Sequence, residues 1–272
     1  MPVILDRKIA VVTGGGGGIG GATARLLAKC GAAVAVVDIV RERADSVAQD
    51  IEAGGGRARA YQVDIADESQ IQTMMSSVKH DFGGIDILVN NAALTAPDDI
   101  RPDMEVGIAE MSTAIWDRTM NVNVRGTMLC SKHAIPEMVA RGGGAIVNLS
   151  SIGGLQARPT LAAYGISKAA INMLTQYIAT GYGRQGVRCN TVAPGFTVTE
   201  TGLVGLSDED RAVRSRHTVL GRFGEPDDVA NMIAFLVSDE ARVITGQLVA
   251  VDAGVTIHLP WYADQLDRGG TN

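Results

Sequence analysis

Short apolar runs alternate with longer stretches of helical periodicity along this chain, and that alternation limits the folds open to it. Runs at 8–13, 32–38, 57–64, 85–92, 144–151, 186–195 and 246–254 read as strands. Segments at 21–30, 41–53, 67–82, 109–140, 164–181 and 225–238 read as helices. Within 67–82, Ile71, Met74, Met75, Val78 and Phe82 share one helical face, while Asp67 and Glu68 suit the positive end of the helix dipole. Repeated βα units with apolar strands predict an α/β fold, a doubly wound parallel β-sheet with helices on both faces. No linker, repeat or low-complexity tract divides the chain, so residues 1–272 are expected to form one domain. The irregular parts are 93–108, 196–222 and the tail from 255.

The first strand and first helix are joined by "TGGGGGIGG", residues 13–21. Glycines there let the backbone approach a pyrophosphate, and a helix N-terminus offers free N–H groups and a favourable dipole. G-x-G-x-x-G can be read twice in this run, at 15-17-20 and 16-18-21, which makes that pattern a weak guide. A second feature supports a dinucleotide site. Asp38 ends the second strand, 18 residues after Gly20. An acid at about that spacing is placed to hydrogen-bond an adenosine ribose hydroxyl.

"YGISK" puts Tyr164 and Lys168 four residues apart on one helix face, and Ser151 precedes the tyrosine by 13 residues at the end of a strand. Together with Thr13-Gly14-x-x-x-Gly18-Ile19-Gly20, this set resembles the TGxxxGxG and Ser–Tyr–Lys signatures of the short-chain dehydrogenase/reductase family, a Rossmann-fold family. Further segments resemble it in order: "VDI" at 63–65, "NNAA" at 90–93, "NVNV" at 121–124, "PGFTVT" at 194–199, and "RFGEPDDVANMIAFLVSDEARVITGQLVAVDAG" near the C-terminus. Ala93 stands where the family has the last glycine of NNAG, and VDAG stands where VDGG is common.

The resemblance implies an NAD-dependent oxidoreductase that moves a hydride between nicotinamide and the carbinol or carbonyl carbon of a secondary alcohol or ketone, expected to be hydrophobic. It implies Asn123, Ser151, Tyr164 and Lys168 as catalytic residues. It implies cofactor contacts from Gly14, Gly17, Gly18, Ile19 and Gly20, and from Asp38 and Ile39 at the ribose. Asp64 and Ile65 would lie at the adenine, with Asn91 and Ala92 beside the fourth strand. Pro194, Gly195, Thr197 and Thr199 would hold the carboxamide, and Tyr164 and Lys168 the nicotinamide ribose. Substrate recognition is expected from 93–112, 196–222 and 255–272. The resemblance also implies a homotetramer or homodimer.

The chemistry is coherent. Hydride transfer at an alcohol carbon requires a proton to move at its oxygen. A free tyrosine titrates near ~10, so a neighbouring ammonium is expected to lower that value, and Ser151 to hold the substrate oxygen. Asp38 is expected to favour NAD over NADP, with Arg41 the residue that could oppose it. Two other readings compete. A lyase or dehalogenase on the same fold typically loses the glycines and the lysine. A non-catalytic dinucleotide sensor typically loses the tyrosine or lysine. This chain keeps them all.

A net charge of −6 argues against a nucleic-acid or anionic-membrane partner, since both call for a basic surface. No apolar run is long enough for a membrane span, and charge enters too early at the N-terminus for a signal peptide. Cys30, Cys130, Cys189 and the four histidines are scattered and suggest neither disulfides nor a metal site. A cytoplasmic enzyme is expected. The tail carries Leu259, Trp261 and Tyr262, and 257–262 is expected to pack beside a substrate cleft, its own or a neighbouring subunit's.

Overall fold

The computed structural model describes residues 3–95, 97–199 and 206–269. Seven strands form one sheet: β1 (Ile9–Thr13), β2 (Ala33–Asp38), β3 (Arg57–Gln62), β4 (Ile87–Asn90), β5 (Gly144–Leu149), β6 (Val187–Pro194) and β7 (Leu248–Val251). Their spatial order is β3-β2-β1-β4-β5-β6-β7, and every pairing is parallel. The chain thus winds outward from β1 to one edge, returns to β4 and winds to the other.

Successive strand residues serve opposite faces, and both faces are buried. Ala10, Val12, Val34, Val36, Ile87 and Val89 pack into one apolar cluster with α1 (Gly18–Lys29), α2 (Arg41–Ala53) and α9 (Pro226–Val237). Val11, Ala35, Val37 and Leu88 pack into the other with α3 (Glu68–Phe82), α6 (Thr127–Ala140) and α7 (Ala162–Tyr182). This two-sided burial is why the inner strands read as unbroken apolar runs. The expected face of α3 is buried at Ile71, Met74, Met75 and Val78, and Asp67 caps that helix by accepting from the Ser69 and Gln70 amides.

Four sequence expectations are corrected. The first helix begins at Gly18, not residue 21, because the glycine turn is tighter than its composition suggests. The supposed single helix over 109–140 is α5 (Thr113–Thr119), a π-helical segment (Met120–Gly126) and α6. Two stretches read as irregular hold short helices, α4 (Pro97–Met104) and α8 (Asp208–Ser215). Their polarity hid them: α8 reads DEDRAVRS and is set by its charge order and a Ser207–Asp210 capping box rather than by an apolar stripe.

The tail is the fourth correction. It forms α10 (Tyr262–Asp267), held by the Arg216–Asp267 ion pair and by His258, which stacks on Tyr262 at 4.4 Å and meets His217 at 6.0 Å. Ile257, Leu259 and Trp261 are exposed, at 79%, 59% and 52%. They build no wall of this chain's own cleft; of the tail, Val255 reaches it. No described helix is long and apolar enough to cross a membrane.

Candidate active site

A cleft of about 1370 Å³ opens along the carboxyl ends of the strands. It spans the point between β1 and β4 where the winding direction reverses, the place where open α/β sheets leave a crevice. Of the residues expected to form the site, all but Gly20 and Asn123 line this cleft.

The glycine end is built from main chain. Gly14 sits at φ 61°, in the left-handed region, so the chain can turn directly out of β1. Gly20 lies under the turn: a Cβ there would stand 2.0 Å from the Gly14 carbonyl oxygen and 2.5 Å from Asn91 Nδ2. Its part is to let helix α1 approach the loop, not to face the cleft. Gly17 is the opposite case, extended at φ 179° with nothing within 4 Å of an added Cβ. Asn91 ties the two sides of the crevice together. Its Nδ2 donates to the carbonyls of Thr13 at 3.1 Å and Gly14 at 3.0 Å. The Asn91 and Ala92 amides donate to Thr13 Oγ1.

Asp38 stands at the end of β2 and accepts from the Gly16 amide at 3.0 Å and the Val40 amide at 3.0 Å. Its carboxylate is thereby fixed at the rim of the loop. Arg41, expected to oppose it, is instead paired with Asp45 at 2.7 Å and does not line the cleft. The cation that does line it nearby is Arg43. Arg43 is exposed two positions further along α2, with its Cβ beside Gly16 of the glycine loop.

The tyrosine end is built from side chains. Ser151 follows β5, and its hydroxyl accepts from the Gly153 amide at 3.1 Å and lies in hydrogen-bonding reach of the Tyr164 phenol. Tyr164 and Lys168 rise one turn apart from α7, as expected. Lys168 is almost fully buried, and its Nζ donates to the Leu149 carbonyl at 2.8 Å and sits 5.6 Å from the Tyr164 ring centroid. Burial pushes the Lys168 ammonium down to about 8.

The expected lowering of Tyr164 is not what the geometry gives. Burial raises the phenol above its ordinary value, against smaller opposing influences from the Ser151 hydrogen bond and the Arg158 charge. Lys168 spends its ammonium on Leu149 rather than on the phenolate. Tyr164 is therefore held as a protonated donor at neutral pH.

Asn123 is fully buried behind this wall. Its Oδ1 accepts from the Leu94 amide at 2.9 Å, and its Nδ2 donates to Ser167 Oγ at 3.0 Å. It joins the strand-end loop after β4 to α7, and the π-helical segment sets its position; such one-turn irregularities recur at functional sites.

Sequence reasoning missed three residues. Asp103 of α4 accepts from the Tyr164 amide at 2.8 Å and the Ala163 amide at 3.3 Å, and so caps α7. Helix α7 needs that borrowed cap because its own N-cap residue, Leu161, is apolar and sits at φ 64°. Arg158 and Arg214 also reach the cleft. No spacing in the sequence relates any of these to Tyr164. Of the segment 196–222, residues 200–205 lie outside the described residues, so the expected aliphatic stretch after Thr199 is not placed.

Comparison with known proteins identifies the family and the fold. The family model described as enoyl-(acyl carrier protein) reductase matches residues 14–256. A Bradyrhizobium diazoefficiens protein named as a probable short-chain type dehydrogenase/reductase is 46% identical over 262 residues, covering 95% of this chain and 91% of its own length. The cis-4-hydroxycyclohexanecarboxylate dehydrogenase of Sinomonas cyclohexanicum is 40% identical, covering 92% of this chain and 97% of its own. Among solved structures, a 7α-hydroxysteroid dehydrogenase complexed with NADH and 7-oxo glycochenodeoxycholic acid superposes with a TM-score of 0.87 at 32% identity, covering 93% and 96% of the two chains. The chain therefore belongs to the short-chain dehydrogenase/reductase family.

Proposed function

We propose that this chain, acting as one domain, is an NAD-dependent oxidoreductase that interconverts a secondary alcohol and a ketone. The observation that carries the reading is the meeting of Ser151, Tyr164 and Lys168 in the same cleft as the glycine loop and Asp38. Two of the proteins named above are named as dehydrogenases of hydroxy compounds, and one of these was solved with NADH.

The residues present fit a dinucleotide. Gly14 turns so close to the loop after β4 that a Cβ there would come within 2.9 Å of the Ala92 backbone, so the loop beside the cleft is bare main chain. The free amides at the start of α1 suit a pyrophosphate, and the Asp38 carboxylate suits a ribose diol while repelling a 2′-phosphate. NAD bound there supplies the hydride acceptor for oxidation and, in reduced form, the donor for reduction.

The chain's own groups handle the oxygen. Tyr164, kept protonated by burial, donates to a carbonyl oxygen being reduced. The Ser151 hydroxyl shares that position and holds the oxygen against the phenol. Lys168 keeps a buried positive charge beneath the ring, and Asn123 fixes the loop after β4 against α7. Leu94, Ile100, Met104, Leu161 and Phe196 add apolar wall, which favours a substrate with a hydrophobic body.

The test is absorbance at the reduced-nicotinamide band with a panel of cyclic and acyclic secondary alcohols, in NAD and NADP. Turnover is expected with NAD at higher kcat/KM, and Tyr164→Phe is expected to lose at least ~10²-fold in kcat while still binding NAD. A higher kcat/KM with NADP, or near-normal turnover by Tyr164→Phe, overturns the assignment.

The reading extends to self-association as a homotetramer or homodimer. Met173 and Tyr177 on α7 and Leu248 on the edge strand β7 are exposed apolar side chains, Tyr177 at 73%. A monomer mass by light scattering at micromolar concentration rejects this. The three cysteines are free thiols, in keeping with a cytoplasmic site.

A further inference from the structure

The tyrosine end of the cleft is more basic than an acidic chain leads one to expect. Arg101, Arg118, Arg158 and Arg214 line it, against the carboxylates of Asp99 and Glu105. Arg118 is neutralised by its ion pair with Asp99. Glu105 is exposed, one residue past the end of α4. Arg101, Arg158 and Arg214 remain, none with a carboxylate within ion-pair distance among the described residues; Arg101 is exposed on α4, and the other two act on each other.

These two guanidinium groups come from segments far apart in the chain. Arg158 lies on the loop before α7, and Arg214 on the last turn of α8. They are close enough to repel each other, and that repulsion, after burial, lowers the affinity of Arg158 for its proton. Asp103 and the Tyr164 phenol are the other titratable groups Arg158 feels. Asp103 offers it little, because its carboxylate is already committed to the Ala163 and Tyr164 amides.

Arg214 is also pre-oriented. Its Cζ stands 5.1 Å from the Phe196 ring centroid, and Phe196 is braced edge-on by Phe223 at 5.8 Å. Stacking on an aromatic face fixes the plane of a guanidinium and leaves its edge N–H groups free to donate. Arg158 is exposed and Arg214 half-buried, so the two like-charged forks repel each other at a modest cost. An anion placed between them removes the cost and gains charge-assisted hydrogen bonds.

We propose that Arg158 and Arg214 bind a carboxylate carried by the substrate, so that the enzyme acts on a hydroxy- or oxo-carboxylic acid with an apolar body. The substrate assignment rests on the oxidoreductase reading above, but the anion site does not. Apolar walls take the body, the two guanidinium groups take the acid, and Tyr164 takes the hydroxyl or carbonyl oxygen. Recognition by charge at one end and by a proton donor at the other would orient the reacting carbon.

The experiment is equilibrium titration of the NAD-loaded enzyme with cyclohexanecarboxylate and with its neutral isostere cyclohexanecarboxamide, by calorimetry at low and high salt. The carboxylate is expected to bind at least ~10-fold more tightly than the amide at low salt, with the ratio shrinking at high salt. Arg158→Gln and Arg214→Gln are each expected to bring the ratio below ~3. Arg214→Lys is expected to fall between, since it keeps charge but loses the fork. A thermal melt and NAD titration of each variant report folding, and Arg214→Lys stands in if a glutamine variant does not fold. Equal binding of acid and amide by the parent, or a ratio unmoved by substitution at both positions, overturns the proposal. Because binding is read without turnover, an enzyme that prefers the carboxylate yet oxidises no hydroxy acid fails the substrate assignment while leaving the anion site standing, and the oxidoreductase reading fails only if the secondary-alcohol panel also gives no turnover.

Discussion

The two ends of the cleft are made of different material. At the glycine end the shape is main chain: Gly14 turns out of β1, Gly20 lets α1 come close, and Asn91 and Asp38 are tied to backbone atoms. At the tyrosine end the shape is side chain: Ser151, Tyr164 and Lys168 sit in a partly desolvated wall, and their properties come from what surrounds them. A backbone-built site fails by steric collision. A side-chain-built site fails by changes in charge and solvation. The distinction is open to direct test at both ends.

The largest effect is expected at the tyrosine end. Lys168 is 3% exposed and titrates at about 8, below its unfolded value of 10.5. Its buried charge costs stability in full below about pH 8. As pH rises the folded state sheds its proton first, so stability rises until the unfolded chain also deprotonates near 10.5. The gain in the parent relative to Lys168→Met should reach about 3 kcal/mol across that window. Urea denaturation at pH 7, 9 and 10.5 measures it, and a pH-independent difference between the two proteins would show that electrostatics does not govern this end.

At the glycine end the expected effect is steric and almost as large. Gly20→Ala places a methyl group 2.0 Å from a backbone oxygen, which forces the loop to open. NAD affinity is expected to fall by at least ~10²-fold, or about 2.7 kcal/mol. Gly17→Ala is the control three residues away, with open space and ordinary extended backbone, and it should stay within ~0.5 kcal/mol of the parent in stability. Calorimetric titration measures the fall in NAD affinity. If urea denaturation found both substitutions equally destabilising, glycine flexibility rather than close approach would be the cause.

The smallest effect probes the joint between α4 and α7. Asp103→Ala removes the borrowed cap from the amides of Ala163 and Tyr164. It is expected to cost ~1–2 kcal/mol in stability, the scale of a lost helix cap, with a fall in kcat as Tyr164 loses its anchor. Asp103→Asn keeps an acceptor and should recover most of the stability. A stable Asp103→Ala enzyme with full kcat would mean that Tyr164 is positioned by its packing alone.

The sequence alone carried the elements whose signal is local. Short apolar runs marked the inner strands, since both faces of a parallel sheet are covered there, while the edge strand β3, RARAYQ, alternates exposed and buried residues. The turn from Thr13 to Gly20 and the Tyr164–Lys168 pair were legible because their geometry depends on residues within one turn or one loop. The same locality explains the misses. Helices α4 and α8 are short and polar, so periodicity could not mark them. The tail is expected beside a cleft of this chain or of a neighbouring subunit; Trp261 is half exposed on this chain, and nothing local says which surface stands opposite.

What the tertiary structure decided is which distant residues meet. Asp103 caps a helix that begins 59 residues later in the chain, at Ala162. Arg158 and Arg214 converge from either side of β6. The direction in which Tyr164 is perturbed also belongs to this level. A lysine four residues away predicted a lowered phenol, but desolvation is a property of the whole surrounding wall, and it prevails over a charge already bonded to the Leu149 carbonyl. Spacing along a chain fixes which side chains share a helix face. The solvation and charge that tune them are set by every element packed around that face, and these are brought together only when the sheet closes its two cores.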